Sequence, residues 1–250
     1  MKKYLLLLNF VLVTSFAQNA PQKCAVVEYK TFNNTNNPNT ISSTLFINGS
    51  ATIYLPKYST KVYKDEKSNS EPKNTVADWF YIKFDHSKKE ALLFDGFGAN
   101  KFLIEDIYKE FNWDVSSEVK NIAGYNCIKA STEFRGRVWT VWFTPDISLP
   151  YGSWKLHGLP GLILEAYENT NMFTIKVDKI DYKKAEIFDK DFNALVVTKN
   201  KKPLAIKDFF DEQIEFFRNA ELKYNQEHPG SDVSYPIIRG SYELKYEWEE

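Results

Sequence analysis

Between Cys24 and Tyr182 the chain is written in short segments whose apolar and polar residues alternate, each ended by turn-forming residues. Trp79, Tyr81 and Lys83 alternate against Phe80, Ile82 and Phe84, and Phe173, Ile175 and Val177 share one face of the segment from Met172 to Tyr182. Asn48-Gly49, between segments Thr40–Ile47 and Ala51–Leu55, is the dipeptide that suits a two-residue hairpin turn. Further strands are expected at Cys24–Phe32, Glu90–Phe94, Lys101–Glu105, Tyr125–Phe134, Val138–Phe143 and Leu162–Glu168, with Tyr242–Trp248 closing the sheet as a terminal strand. Such a chain can only be mainly β: a single antiparallel sheet, curved into a half-barrel or paired as a sandwich. The period changes once. From Leu204 to Gln226, Ile206, Phe210, Gln213 or Ile214, and Phe217 fall on one helical stripe, with Phe209 and Phe216 beside it. Pro203 suits the first position of that helix, which should pack on the sheet.

Two features of the middle of the chain are unusual. Val138–Phe143 is apolar on both faces, with Val138 and Trp142 on one and Trp139, Val141 and Phe143 on the other. A strand of that kind must be covered on both sides by helix, sheet or ligand. Trp139 and Trp142 are therefore the candidate ligand-binding residues, only one of them facing any cavity. Further on, Gly158-Leu159-Pro160-Gly161-Leu162-Ile163 forms a turn that leads into a buried strand. Pro160 fits the second position of a type II turn, and Gly161 the positive φ that follows it. Its residues read as a structural bend, since no strand–glycine loop–helix order of a phosphate cradle is present.

The first residues have the plan of a signal peptide: Met1-Lys2-Lys3, an apolar run from Tyr4 to Val13, and small residues at Ser15 and Ala17. Residues 1–17 are expected to be removed, leaving 18–250 as one domain without a transmembrane segment, in the periplasm, on the periplasmic face of the outer membrane, or secreted. A net charge of −1 with no basic cluster argues against nucleic acid as partner. The aromatic content of 16% argues against disorder. Cys24 and Cys127 are the only cysteines. In an oxidising compartment they could form a disulfide, closing a loop of about 100 residues for up to ~4.7 kcal/mol in the chain-entropy model. Two free thiols are the alternative. The segment Pro56–Thr75 is polar and lysine-rich and reads as a loop excursion.

The central block resembles the GLPGLI family of exported proteins from Gram-negative bacteria. Gly158 to Ile163 spells its name-giving motif, and Ile122-Ala123-Gly124-Tyr125-Asn126-Cys127-Ile128-Lys129-Ala130 is similar to its IxGYxCxKA segment. Arg135-Gly136-Arg137 and Trp142-Phe143-Thr144-Pro145-Asp146-Ile147 follow its order. The resemblance implies export, a mostly β fold and no established activity. It also implies a possible outer-membrane receptor as partner, because the family's genes often accompany such receptors. Gly124-Tyr125 followed by a tryptophan-bearing strand is also similar to LolA-like half-barrels, which carry lipid.

No catalytic constellation is visible. His86, His157 and His228 stand in different elements without metal-ligand spacing, so no metal and no cofactor is expected. Cys127 lies in a strand, where packing or a disulfide is expected of it rather than nucleophilic attack. The sequence thus leads to a noncatalytic, exported binding protein holding an apolar small molecule or lipid in a half-barrel. The alternative is an adaptor for an envelope protein.

Overall fold

The structure is a computed structural model and describes residues 23–35, 38–57, 80–184, 202–231, 233–234 and 242–249. The expected signal peptide, Trp79 and most of the Pro56–Thr75 excursion lie outside the described residues.

Eleven strands alternate along the chain: β1 (Lys23–Asn33), β2 (Asn39–Asn48), β3 (Ala51–Lys57), β4 (Tyr81–Asp85), β5 (Glu90–Phe97), β6 (Asn100–Asp106), β7 (Asp114–Ile122), β8 (Tyr125–Phe134), β9 (Arg137–Thr144), β10 (Leu162–Glu168) and β11 (Phe173–Lys184). A two-residue strand, β12 (Leu204–Ala205), precedes helix α1 (Ile206–Glu227). They form one sheet in the order β12-β6-β5-β4-β3-β2-β1-β11-β10-β9-β8-β7. Two antiparallel meanders, β1–β6 and β7–β11, are thus joined at the centre by the antiparallel pair β1–β11, and β12 adds to β6 in parallel.

The curvature follows from this order. β6 and β7 are successive in sequence but lie near opposite edges, ten strand steps apart. In a flat sheet that is about 48 Å at the usual spacing. The connection from Asp106 to Asp114 can span at most about 28 Å when fully extended. The sheet therefore curls until its edges approach, giving an open half-barrel that does not close.

Its inner face carries the main core: Val27, Tyr29, Leu45, Ile104, Trp139, Val141, Phe143 and Ile175 are all buried there. The β9–β10 connection, residues 145–161, folds onto that face and contributes Ile147, Tyr151, Trp154, Leu156 and Leu159. α1 lies across β6 and β12 with Ile206 and Phe209 buried. Phe97 packs on Phe209 and Phe216 at ring-centroid distances of 5.5 and 5.2 Å, so the apolar stripe read from the sequence is the face that meets the sheet.

Three sequence expectations are corrected. Tyr242–Trp248 is not a strand; it is an irregular segment whose Leu244 and Lys245 N–H groups both donate to the Arg135 carbonyl. Pro203 precedes β12, and the helix starts at Ile206. Gly161 is not at positive φ. What requires glycine there is close approach, since a Cβ would overlap the Thr144 carbonyl. The Leu159–Leu162 bend is made instead by a tight Gly161 N–H to Leu159 O bond of 2.8 Å. Of the two alternatives open for Cys24 and Cys127, the structure has separate buried thiols and no disulfide between them. Cys24 packs with Val26 and Ile53 in a cluster separate from the main core, to which Cys127 belongs. Three strands stand between β1 and β8. The two cysteines are therefore about 19 Å apart along the sheet, where a disulfide needs its Cα atoms within about 7 Å.

Candidate functional site

Where the curled edges meet, four elements deliver charges into the interior. The β8–β9 hairpin turns on Arg135 and Gly136, both at positive φ (45° and 80°), the signature of a type I′ turn. Arginine is a strained occupant of that position, and its side chain explains why it is there. The Arg135 guanidinium donates to both carboxylate oxygens of Asp106 at the end of β6 (2.8 and 3.0 Å). It also donates to Glu243 (2.7 Å) and to both oxygens of Glu247 (3.0 Å each), which come from the C-terminal segment. Lys155, from the β9–β10 connection, donates to Asp106 and to Glu243 (2.7 Å).

The side chains of Asp106, Lys155 and Arg135 are 0, 1 and 2% exposed. Burial alone would raise the Asp106 carboxyl, but Lys155 and Arg135 outweigh it and hold the group below the usual carboxylate range. Burial and then the Glu243 carboxylate push the Tyr246 hydroxyl upward. The network fastens the C-terminal segment over the mouth of the half-barrel.

Beneath α1, beside that network, lies a partly open cavity of about 170 Å3. Aromatic residues dominate its wall: Phe80, Trp154, Phe209, Phe210, Tyr242 and Tyr246. Leu93, Ile104 and Ile206 complete the apolar lining, and Asp95, Lys155, Gln213 and Glu243 supply the polar atoms. Trp154 is held at φ 59°, a strained conformation for a bulky side chain. Burial raises the Asp95 carboxyl, against the Gly96 N–H and the Lys101 charge. A groove of about 700 Å3 also runs along the β6–β12 edge past Lys101, Phe102, Lys202 and Glu212, but it is open to solvent and lacks the apolar enclosure of a ligand site.

Trp139 and Trp142 do point to opposite faces, and neither lines the cavity under α1. Trp139 is covered by Trp154 and Tyr242, at 5.5 and 6.0 Å between ring centroids. Trp142 lies on the other face, with the Lys120 ammonium 4.2 Å from its ring. On that same face Val138 is left exposed. Ala123 and Gly124, at φ 52° and 88°, make the β7–β8 hairpin turn, and Tyr125 opens β8 opposite Ile122. Gly158, at φ 95°, donates to the Pro150 carbonyl, and Leu159, Leu162 and Ile163 are buried in the main core.

The structure brings together two histidines that the sequence holds apart. His86 and His157 have ring centroids 4.8 Å apart, in an aromatic nest with Phe84, Tyr151 and Phe111. Burial, and next the His157 charge, lower His86 to about 3; burial also lowers His157. Among the described residues no group of three or more His, Cys, Asp or Glu is placed to hold a metal ion.

Sequence reasoning missed Asp95, Asp106, Lys155 and Glu243, which come from separate elements. Only Gln213, a polar residue on the apolar stripe of α1, carried a signal.

The fold defines a class: an open, half-barrel β module with a helix across one end. Residues 102–207 match the family model described as the N-glycanase peptide, N-terminal domain. That is less than half of the chain, and the family matched is not the GLPGLI family that the central motifs resemble. Two crystal forms of PNGF-II are similar over 76% of this chain, with TM-scores of 0.55 (C2) and 0.53 (P21) and identities of 18 and 19%. The alignment covers 32% of the PNGF-II chain, so this protein spans about a third of those structures. A domain assigned to outer-membrane lipoprotein sorting in Vibrio parahaemolyticus aligns over 71% of this chain and 92% of its own, at 9% identity and a TM-score of 0.34, too low to support any argument. No curated protein matches. The expectation that the chain is not an enzyme is corrected by these matches, since the family model is that of an N-glycanase's N-terminal domain. Among the described residues no helix is long and apolar enough to cross a membrane.

Proposed function

We propose that this chain is an exported ligand-binding module, one domain over residues 18–250, whose site is the cavity between α1 and the inner face of the sheet. The observation that carries this reading is the cavity itself: recessed under α1, lined by six aromatic side chains and flanked by a C-terminal segment held on buried charges. Sites for small molecules have this make-up, apolar enclosure with a few converging polar atoms. The strained Trp154 on its wall points the same way, because backbone strain concentrates at ligand clamps. The size sets a limit, since an apolar cavity of about 150 Å3 holds benzene in another protein. The occupant is thus a one-ring molecule or the end of a longer one, and not a whole lipid. Native mass spectrometry of the purified protein, followed by titration with toluene, tests this. A co-purifying small molecule or saturable toluene binding is expected; neither would be seen if the cavity were only a packing defect.

A second reading rests on the match to an N-glycanase's N-terminal domain: the module works beside a glycan-cleaving partner. Its test is a change in that partner's turnover of glycopeptide when this chain is added. Export is tested by N-terminal sequencing of protein from cell fractions, with a start after Ala17 as the expected result.

A further inference from the structure

The polar atoms of the cavity under α1 are arranged as acceptors, and they bear on the class of ligand. Gln213 Oε1 is buried with no hydrogen-bond partner among the described residues. Asp95 accepts one bond, from the Gly96 N–H to Oδ1 (2.7 Å), and forms none of the ion pairs described above. Glu243 contributes further negative charge, although its oxygens are engaged by Arg135, Lys155 and the Tyr246 hydroxyl. The one cation on the wall, Lys155, has two of its three donors committed to Asp106 and Glu243. A buried acceptor left without a partner is costly, so such a site favours a guest that donates.

The guest's chemistry can be narrowed further. A sugar hydroxyl both donates and accepts, whereas Gln213 Oε1 and the Asp95 carboxylate call only for a donor. A carboxylate, such as a fatty-acid head, would face Asp95 and Glu243 and meet like charge. An ammonium has three donors and no acceptor, and its charge is favoured both by a carboxylate and by aromatic faces.

We infer that the cavity under α1 is a recognition site for a primary amine on a small apolar or aromatic body, with Asp95 and the Gln213 side-chain carbonyl receiving the ammonium and Phe209, Phe210 and Trp154 enclosing the ring. This rests on the cavity being the ligand site proposed above, and it departs from the lipid expected of the sequence.

The experiment titrates the intact protein with benzylamine, toluene and phenylacetate, three one-ring probes that differ in the group attached, by calorimetry or NMR at neutral pH. Benzylamine should bind at least about tenfold more tightly than either of the others, the gain expected of a desolvated cation contact with one charge-assisted hydrogen bond. Asp95→Asn keeps the acceptor for Gly96 and should erase that preference while toluene binding is unchanged. Gln213→Leu should weaken benzylamine and spare toluene. Equal binding of the three probes, or a preference that survives Asp95→Asn, overturns the inference and leaves the cavity reading standing. Failure of all three probes to saturate overturns both.

Discussion

Arg135 and Asp106 meet through two parallel hydrogen bonds of 2.8 and 3.0 Å, although one residue sits in the β8–β9 turn and the other ends β6, on the opposite limb of the curled sheet. The pair measures how far the sheet has curved. It also closes an energetic account, because a planar guanidinium held by Asp106, Glu243 and Glu247 can be buried without leaving any of them unpaired.

Replacing Arg135 by alanine should therefore cost about 3–5 kcal/mol, the usual penalty for stranding buried carboxylates whose partner has gone. Urea unfolding of Arg135→Ala against the parent measures it. Arg135→Lys should recover only part, since an ammonium cannot hold Asp106 and Glu247 in fork geometry together. A loss under 1 kcal/mol for alanine would show that the network is solvated.

Two glycines of the central block should respond differently. Gly124 has positive φ and open space around it, so Gly124→Ala should cost about 1–2 kcal/mol through backbone strain alone. At Gly161 a Cβ collides with the Thr144 and Pro145 backbone, so Gly161→Ala must displace β9 from β10. Its melting temperature should fall well below that of Gly124→Ala. Similar values for the two would place the Gly161 requirement elsewhere.

The histidine nest predicts acid sensitivity. A histidine whose folded pKa lies below its unfolded value of about 6.5 binds its proton more readily in the unfolded chain. Stability is therefore full above that value and declines as pH falls from about 6.5 towards the folded value, by at most about 1.4 kcal/mol per pH unit for each group. His86, lowered to about 3, spans that window, and His157, also lowered by burial, acts in the same sense. Asp95, raised, acts in the opposite sense at the acid end. The difference between the parent and His86→Phe isolates the effect: the stability–pH slope between pH 6.5 and 4.5 should be shallower in the variant. Parallel slopes would mean that His86 is free to protonate in the folded state.

The cysteines offer a simpler check. Both thiols are buried, and burial raises that of Cys127, so neither should react with a thiol reagent until the protein unfolds, whereupon both should. A reducing agent should leave the melting temperature unchanged. A drop on reduction would restore the disulfide.

Most of the sheet could be read from the chain because period-2 patterning reports which face of a strand is buried. β7 could not, since Asp114–Ile122 is largely exposed as an edge strand and shows no apolar alternation. The alternation of Tyr242, Leu244, Tyr246 and Trp248 misled for the opposite reason. Tyr242 and Tyr246 are inserted into the aromatic wall by a segment pinned to the Arg135 carbonyl and guanidinium, not by a ladder. The site was the least legible part. Asp95, Lys155, Gln213 and Glu243 come together only after β6 and β7 have been brought round to face each other, and nothing local in the sequence encodes that approach.

The reach of the Arg135 contacts sets an order of assembly in time. Glu243 and Glu247 lie 108 and 112 residues beyond Arg135. A growing polypeptide would display both meanders long before it could neutralise Arg135 and Lys155 fully. Those cations stay hydrated until that segment emerges, because burying them singly is prohibitive. Docking of residues 242–249 therefore follows the meanders in time, and it is the step that turns an open, wet half-barrel into one whose cations are buried.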